Sequence, residues 1–128
     1  MAKFPDKNLS TSLLNTQGEF LRALALGGDC VDYEKLSVGD QAVVTLNVPA
    51  SAQKAILTVI GDATAANSDR VIHFREDGNN PTTGTSGEGM PIGDNGTYTI
   101  LSADNLANFK MIGIEAGKTH SVRVQYYA

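Results

Sequence analysis

The chain has 128 residues and a mass of 13.5 kDa, room for a single domain with one core. A formal net charge of −4 with no basic block speaks against neutralising phosphates, so direct nucleic-acid binding is not expected. The single cysteine, Cys30, rules out an internal disulfide, and the polar start Met1–Asn8 lacks an apolar leader, so a soluble protein made in a reducing cytoplasm is expected.

Residues 1–17 are polar, with isolated Leu9, Leu13 and Leu14, and read either as a disordered tail or as an extended N-terminal arm that becomes ordered on a neighbouring subunit, with those leucines as its anchors. Residues 18–37 read as a short helix or edge strand followed by a connector. Glu19–Leu26 has helix propensity and Gly27-Gly28 would stop it, while Asp29–Gly39 carries no clear pattern. Its longest apolar run, Phe20–Leu26, is interrupted by Arg22 and is too short to span a bilayer, so no membrane partner is expected.

Strand signals dominate from residue 38 to 128. Ala42–Val48 alternates until Pro49 ends it, Ala55–Ile60 stops at Gly61-Asp62, and Val71–Arg75 is rich in β-branched and aromatic side chains. Glu76–Gly84 is made almost wholly of turn formers. Gly89–Ile92, the turn Asp94-Asn95-Gly96 and Thr97–Leu101 together predict a hairpin, because Asn-Gly suits a type I′ turn. Ser102–Asn108 predicts one short helical turn capped by Ser102 or Asp104. Phe109–Ile114 and Thr119–Tyr127 complete the set, the latter with Val122, Val124 and Tyr126 on one face. Six or seven short strands without a long crossover helix predict an all-β fold, a single antiparallel β-sandwich or jelly roll.

Chemical motifs are weak. His73 and His120 are read onto the more polar faces of their strands, with no carboxylate or cysteine at metal-ligand spacing. Glu76-Asp77-Gly78-Asn79 lacks the order of a calcium loop. Gly84-Thr85-Ser86-Gly87-Glu88 has Glu where a nucleophile elbow needs glycine, and Gly87–Gly93 misses the dinucleotide spacing by one residue. The sequons at Asn8 and Asn95 read as chance without a signal peptide. No catalytic, metal or cofactor site is expected, and the chain is not read as an enzyme.

The run Arg75-Glu76-Asp77-Gly78-x-x-Pro81-Thr82, then Gly89-Met90-Pro91-Ile92, Phe109–Ile114 and the closing Val122-x-Val124-x-Tyr126-Tyr127, preceded by Val44-x-Leu46-x-Val48-Pro49-Ala50, resembles small β-sandwich virion proteins of tailed bacteriophages. The likeness covers roughly residues 38 to 128. It implies a head decoration or cement protein that binds the major capsid protein as a homo-oligomer (dimer or trimer) at the capsid surface of the virion, after synthesis in the bacterial host cytoplasm. The contact residues expected on this reading are Leu9, Leu13 and Leu14 of the arm with Arg75, Asp77, Asn79, Pro81 and Met90 around the central loop. The alternative is a tail- or fibre-associated module that binds host-surface carbohydrate or receptor. The absence of tryptophan, with only Tyr33, Tyr98, Tyr126 and Tyr127, disfavours that alternative.

Overall fold

A computed structural model describes residues 28–128; the arm with Leu9, Leu13 and Leu14, and the helix-or-strand segment Gly18–Leu26, lie outside the described residues. Eight strands and one short helix make up the regular structure of the described residues. In chain order they are β1 (Cys30–Val38), β2 (Val44–Thr45), β3 (Lys54–Ile60), β4 (Ile72–Arg75), β5 (Met90–Ile92), β6 (Thr97–Ile100), α1 (Ala103–Asn108), β7 (Lys110–Gly113) and β8 (His120–Tyr127). Sheet A has the order β1-β8-β3-β6 and sheet B the order β2-β7-β4-β5, with every pairing antiparallel.

The pairs are nested. β4 pairs with β5, β3 with β6, β2 with β7 and β1 with β8, as though one long hairpin had been rolled over on itself. That winding across two sheets is a jelly roll. The loop from Glu76 to Gly89 is the tip of the innermost pair.

Strand alternation fills the space between the sheets. Ala55, Leu57 and Val59 of β3 lie opposite Tyr126, Val124 and Val122 of β8, and all six are fully buried. Ile72, Phe74 and Met111 of sheet B meet them, with Leu106 and Phe109 joining the same cluster. Phe74 and Phe109 stack with ring centroids 5.3 Å apart, and Tyr98 of β6 tilts against Phe74 at 4.5 Å, so one aromatic group joins the two sheets. Helix α1 starts as expected: the Ser102 hydroxyl accepts from the Asn105 N–H at 3.1 Å, and Leu106 is the residue it buries.

The structure departs from the sequence-based reading in three places. Cys30–Val38 is a nine-residue edge strand, where the pattern suggests a connector. Its inward positions include Glu34, whose carboxylate receives the Tyr126 hydroxyl, the Asn47 backbone N–H at 2.9 Å and the Asn47 side-chain amide at 2.8 Å. A charge on the inner face, plus a bulge between Cys30 and Asp32, erases the apolar alternation by which strands are read. Ala42–Val48 points Val44, Leu46 and Val48 towards the core as expected, yet its ladder is only Val44–Thr45. The Asn95-Gly96 turn is present but makes no hairpin. Asn95 takes φ 64° inside a Gly93–Gly96 turn closed by Gly96 N–H to Gly93 O at 3.0 Å, and the flanking β5 and β6 belong to different sheets. A lone positive φ at the third position is type II geometry, which carries the chain across the sandwich instead of folding it back.

Val124 is fully buried against Leu57. Replacing it by Asp places an unpaired charge in the core, and a loss of about 3 kcal/mol or more is expected in chemical denaturation. An unchanged midpoint would mean that the side chain does not face inward.

Candidate functional site

Of the residues singled out around the central loop, Arg75, Asp77 and Met90 line one groove, whereas Asn79 and Pro81 do not line it. Arg75 ends β4 and reaches over Asp77, with Nε to Oδ1 at 3.0 Å and an NH2 contact to Oδ2 at 2.5 Å. Asp77 also accepts from the Asn79 backbone N–H at 3.1 Å and from its side-chain amide at 3.3 Å. This is an Asx turn closed by a two-pronged guanidinium. The guanidinium beside Asp77 holds the carboxyl below the usual range, and the same bond raises Arg75. With Glu76, Glu88, Gly89 and Met90 they line an open groove of about 520 Å³. Met90 is 62% exposed at its rim, while Pro81 is buried within the loop.

The loop is fastened on three sides. At its neck the Thr82 N–H donates to Glu88 O at 2.9 Å, and the Glu88 N–H donates to the Thr82 hydroxyl at 2.6 Å. The Thr83 hydroxyl lies 2.7 Å from Gly113 O and 2.9 Å from Ile114 O, and the Gly84 N–H donates to Ile114 O at 2.9 Å. At its start, Glu76 accepts from the Tyr98 hydroxyl of the opposite sheet. Burial, aided by that carboxylate, pushes the Tyr98 phenol up to about 12. The loop therefore lies as a cover over the outer face of sheet B.

That cover corrects the placement of His73. It stands on the outer face, as its parity with Ile72 and Phe74 requires, but it is 3% exposed because the loop closes over it. Its Nδ1 lies 2.8 Å from Thr82 O, a bond the ring donates. Ile112, its register partner, is buried with it. Gly89 makes this approach possible: φ is +136°, and an added Cβ would meet the His73 Cβ at 2.9 Å.

His120 is also buried, for a different reason. It lies two residues before Val122 and so shares the inward phase of Val122, Val124 and Tyr126. Its Nδ1 accepts from the Asp62 N–H at 2.9 Å, which leaves the proton on Nε2, an atom without a partner among the described residues. Around it the turn after β3 is tied down by side chains far off in sequence. The Gly61 N–H donates to Asp94 at 2.7 Å, the Thr119 N–H to Asp62 at 3.1 Å, and the Ala66 N–H to Glu115 at 2.8 Å. This corner has no signature in the sequence, since its partners are short polar residues scattered over loops.

Among the described residues no group of His, Cys, Asp and Glu is placed to hold a metal ion. No helix of the described residues is long and apolar enough to cross a membrane. No family model, curated protein or solved structure matches this chain.

Two outcomes follow from this geometry. A Cβ at Gly87 would meet Thr82 O at 2.4 Å and Thr83 O at 2.6 Å, so Gly87→Ala is expected to open the loop neck at a cost of about 2 kcal/mol. Hydrogen exchange should then rise at the Thr82, Gly84 and Glu88 amides, and unchanged protection there would contradict the tie.

The second concerns acid. Burial lowers His120 from 6.5, against the opposing charges of Asp62, Glu115 and Asp94. The folded site resists a proton that the unfolded chain accepts, so this stability is full above about pH 6.5 and is lost as the pH falls below it. Asp62, lowered from 3.8 to about 2 by Thr64 and Thr119 donors, contributes stability present above 3.8 and lost on approach to 2. Melting temperature should therefore fall in two acid stages, and His120→Gln should flatten the first and leave the second.

Proposed function

We propose that this chain is a structural component of a tailed-bacteriophage virion, a decoration or cement protein that binds and stabilises the shell of the major capsid protein. Jelly rolls recur in viral shell and lectin domains, which supports the reading at the level of the fold. The observation that carries it is the central loop. It is held in one shape by Thr82, Thr83 and Glu76, and it displays Met90 in a rim of Arg75, Asp77 and Glu88. A fixed apolar knob with a charged surround suits protein docking, because little freedom is left to lose on contact. Weak contacts of this kind multiply when many copies bind a lattice.

The test is co-sedimentation of the full chain with purified empty shells of the phage whose genome encodes it. Wild-type protein should pellet with shells at a fixed copy number per particle. Met90→Glu, on an exposed side chain, should keep its melting temperature and lose at least about tenfold in apparent affinity, a change of roughly 1.4 kcal/mol. Absence of wild-type binding, with retention on a glycan array, would move the reading to a tail or fibre module that binds carbohydrate.

A further inference from the structure

The two sheets differ in what lies on their outer faces. Sheet B is covered by the Glu76–Gly89 loop, whereas no described segment lies over sheet A. The register of sheet A puts Tyr33, Gln125, Ile56 and Thr99 in one outward row, and Lys35, Arg123, Thr58 and Thr97 in the next. Tyr33 is 53% exposed, and a shallow groove of about 250 Å³ runs between it, Ile56, Ile60 and Arg123. The outward side chains include Lys35, Arg123 and Lys54, and no carboxylate shares this face. Elsewhere in residues 28–128 acidic groups outnumber basic ones. A cationic face on an acidic domain is a segregation of charge.

Lys35 and Arg123 are direct cross-strand partners, and neither has an ion-pair partner among the described residues. Like charges set opposite each other on a sheet are destabilising. A single Glu at either position would relieve the repulsion, so the pair reads as a feature kept for something outside the domain. We infer that the outer face of sheet A docks an acidic protein surface, and, resting on the function proposed above, that this surface belongs to the capsid shell. Lys54 lies four residues along β3 from the row of Lys35 and Arg123, about 13 Å away at ordinary strand rise. Charge spread this widely over three strands matches an extended protein face better than the single carboxylate of one sugar. The acidic remainder of the domain would repel a nucleic-acid backbone. The Met90 groove shares no residue with this face, so one chain offers two separate surfaces to its shell.

Shell co-sedimentation of the full chain, at low and high salt, tests this with Lys35→Glu and Arg123→Glu. Wild-type binding should weaken as salt rises. Each variant should bind at least about tenfold more weakly, while its melting temperature holds or rises because the like pair becomes an opposite pair. If wild-type protein binds no shells, both the function and this inference fail. If Met90→Glu loses binding while Lys35→Glu and Arg123→Glu keep it, only this inference is overturned. It is equally overturned if Arg123→Glu releases the protein from a dextran sulfate column yet leaves shell binding intact, since the face would then be a polyanion site.

Discussion

The sandwich depends on β8 serving two neighbours at once. Its backbone bonds to β1 on one side and β3 on the other, and its inward side chains, Val122, Val124 and Tyr126, are all fully buried. Because side chains alternate, one register fixes which face of three strands meets the core, and a slip by one residue would expose all of it. The inward tyrosine illustrates how tightly the register is held. Its ring belongs to the core while its hydroxyl must find a partner, and Glu34 of β1 supplies one at the open edge between the sheets. The same carboxylate takes the Asn47 N–H, so a single acidic side chain links β1, β8 and the segment that follows β2. Burial, with that carboxylate beside it, raises the Tyr126 phenol well above its ordinary value and keeps it a donor at any physiological pH.

Strands were legible where one face is wholly apolar and the other polar. β8 meets that condition in Val122, Val124 and Tyr126, whereas β3 reads as a strand from its apolar run alone, because Ile56 and Ile60 on its outer face blur which side is inward. β1 does neither, because its inner face carries Glu34 and its first turn of alternation is broken by a bulge. The Asn95 turn was legible as a turn but not in its consequence. Asn-Gly announces a reversal, whereas which sheet receives the next strand depends on contacts that no local pattern contains: the Asn95 N–H bonds to Val59 O and the Asp94 N–H to Ser68 O. The loop residues Arg75, Asp77, Asn79, Pro81 and Met90 do share one locality, since they are close in sequence and the turn is closed by its own members. The histidines illustrate the opposite case. His73 is buried by a loop and His120 by strand phase, and burial by a loop leaves no periodic trace.

The molecule is two-sided in a chemical sense. Sheet B gives its outer face to its own chain, burying Ile112 and His73 beneath the loop. No described residue covers the outer face of sheet A, which sets cations in opposed positions with a tyrosine ring in the row beside them. The fastened loop gives rigidity to the groove that carries Met90, while the long side chains on the outer face of sheet A keep room to adapt. Such a division suits a protein that presents one fixed surface and one accommodating surface, which is the requirement for spanning a seam between larger subunits.

The nested pairing also sets an order of events during synthesis. β4 and β5 are close in the chain and can pair as soon as both have left the ribosome, with the loop folding back between them. Cys30 pairs with Tyr127, so the outermost pair closes nearly the whole domain at its last step. Until residues 120–127 emerge, β1 has no partner and β3 has only β6, leaving long strand edges exposed on a nascent chain. Folding dominated by such distant pairings is slow and prone to association between unfinished chains. A protein made in many copies at once would meet that hazard at its greatest, which makes β8 the strand on which yield of the folded domain turns.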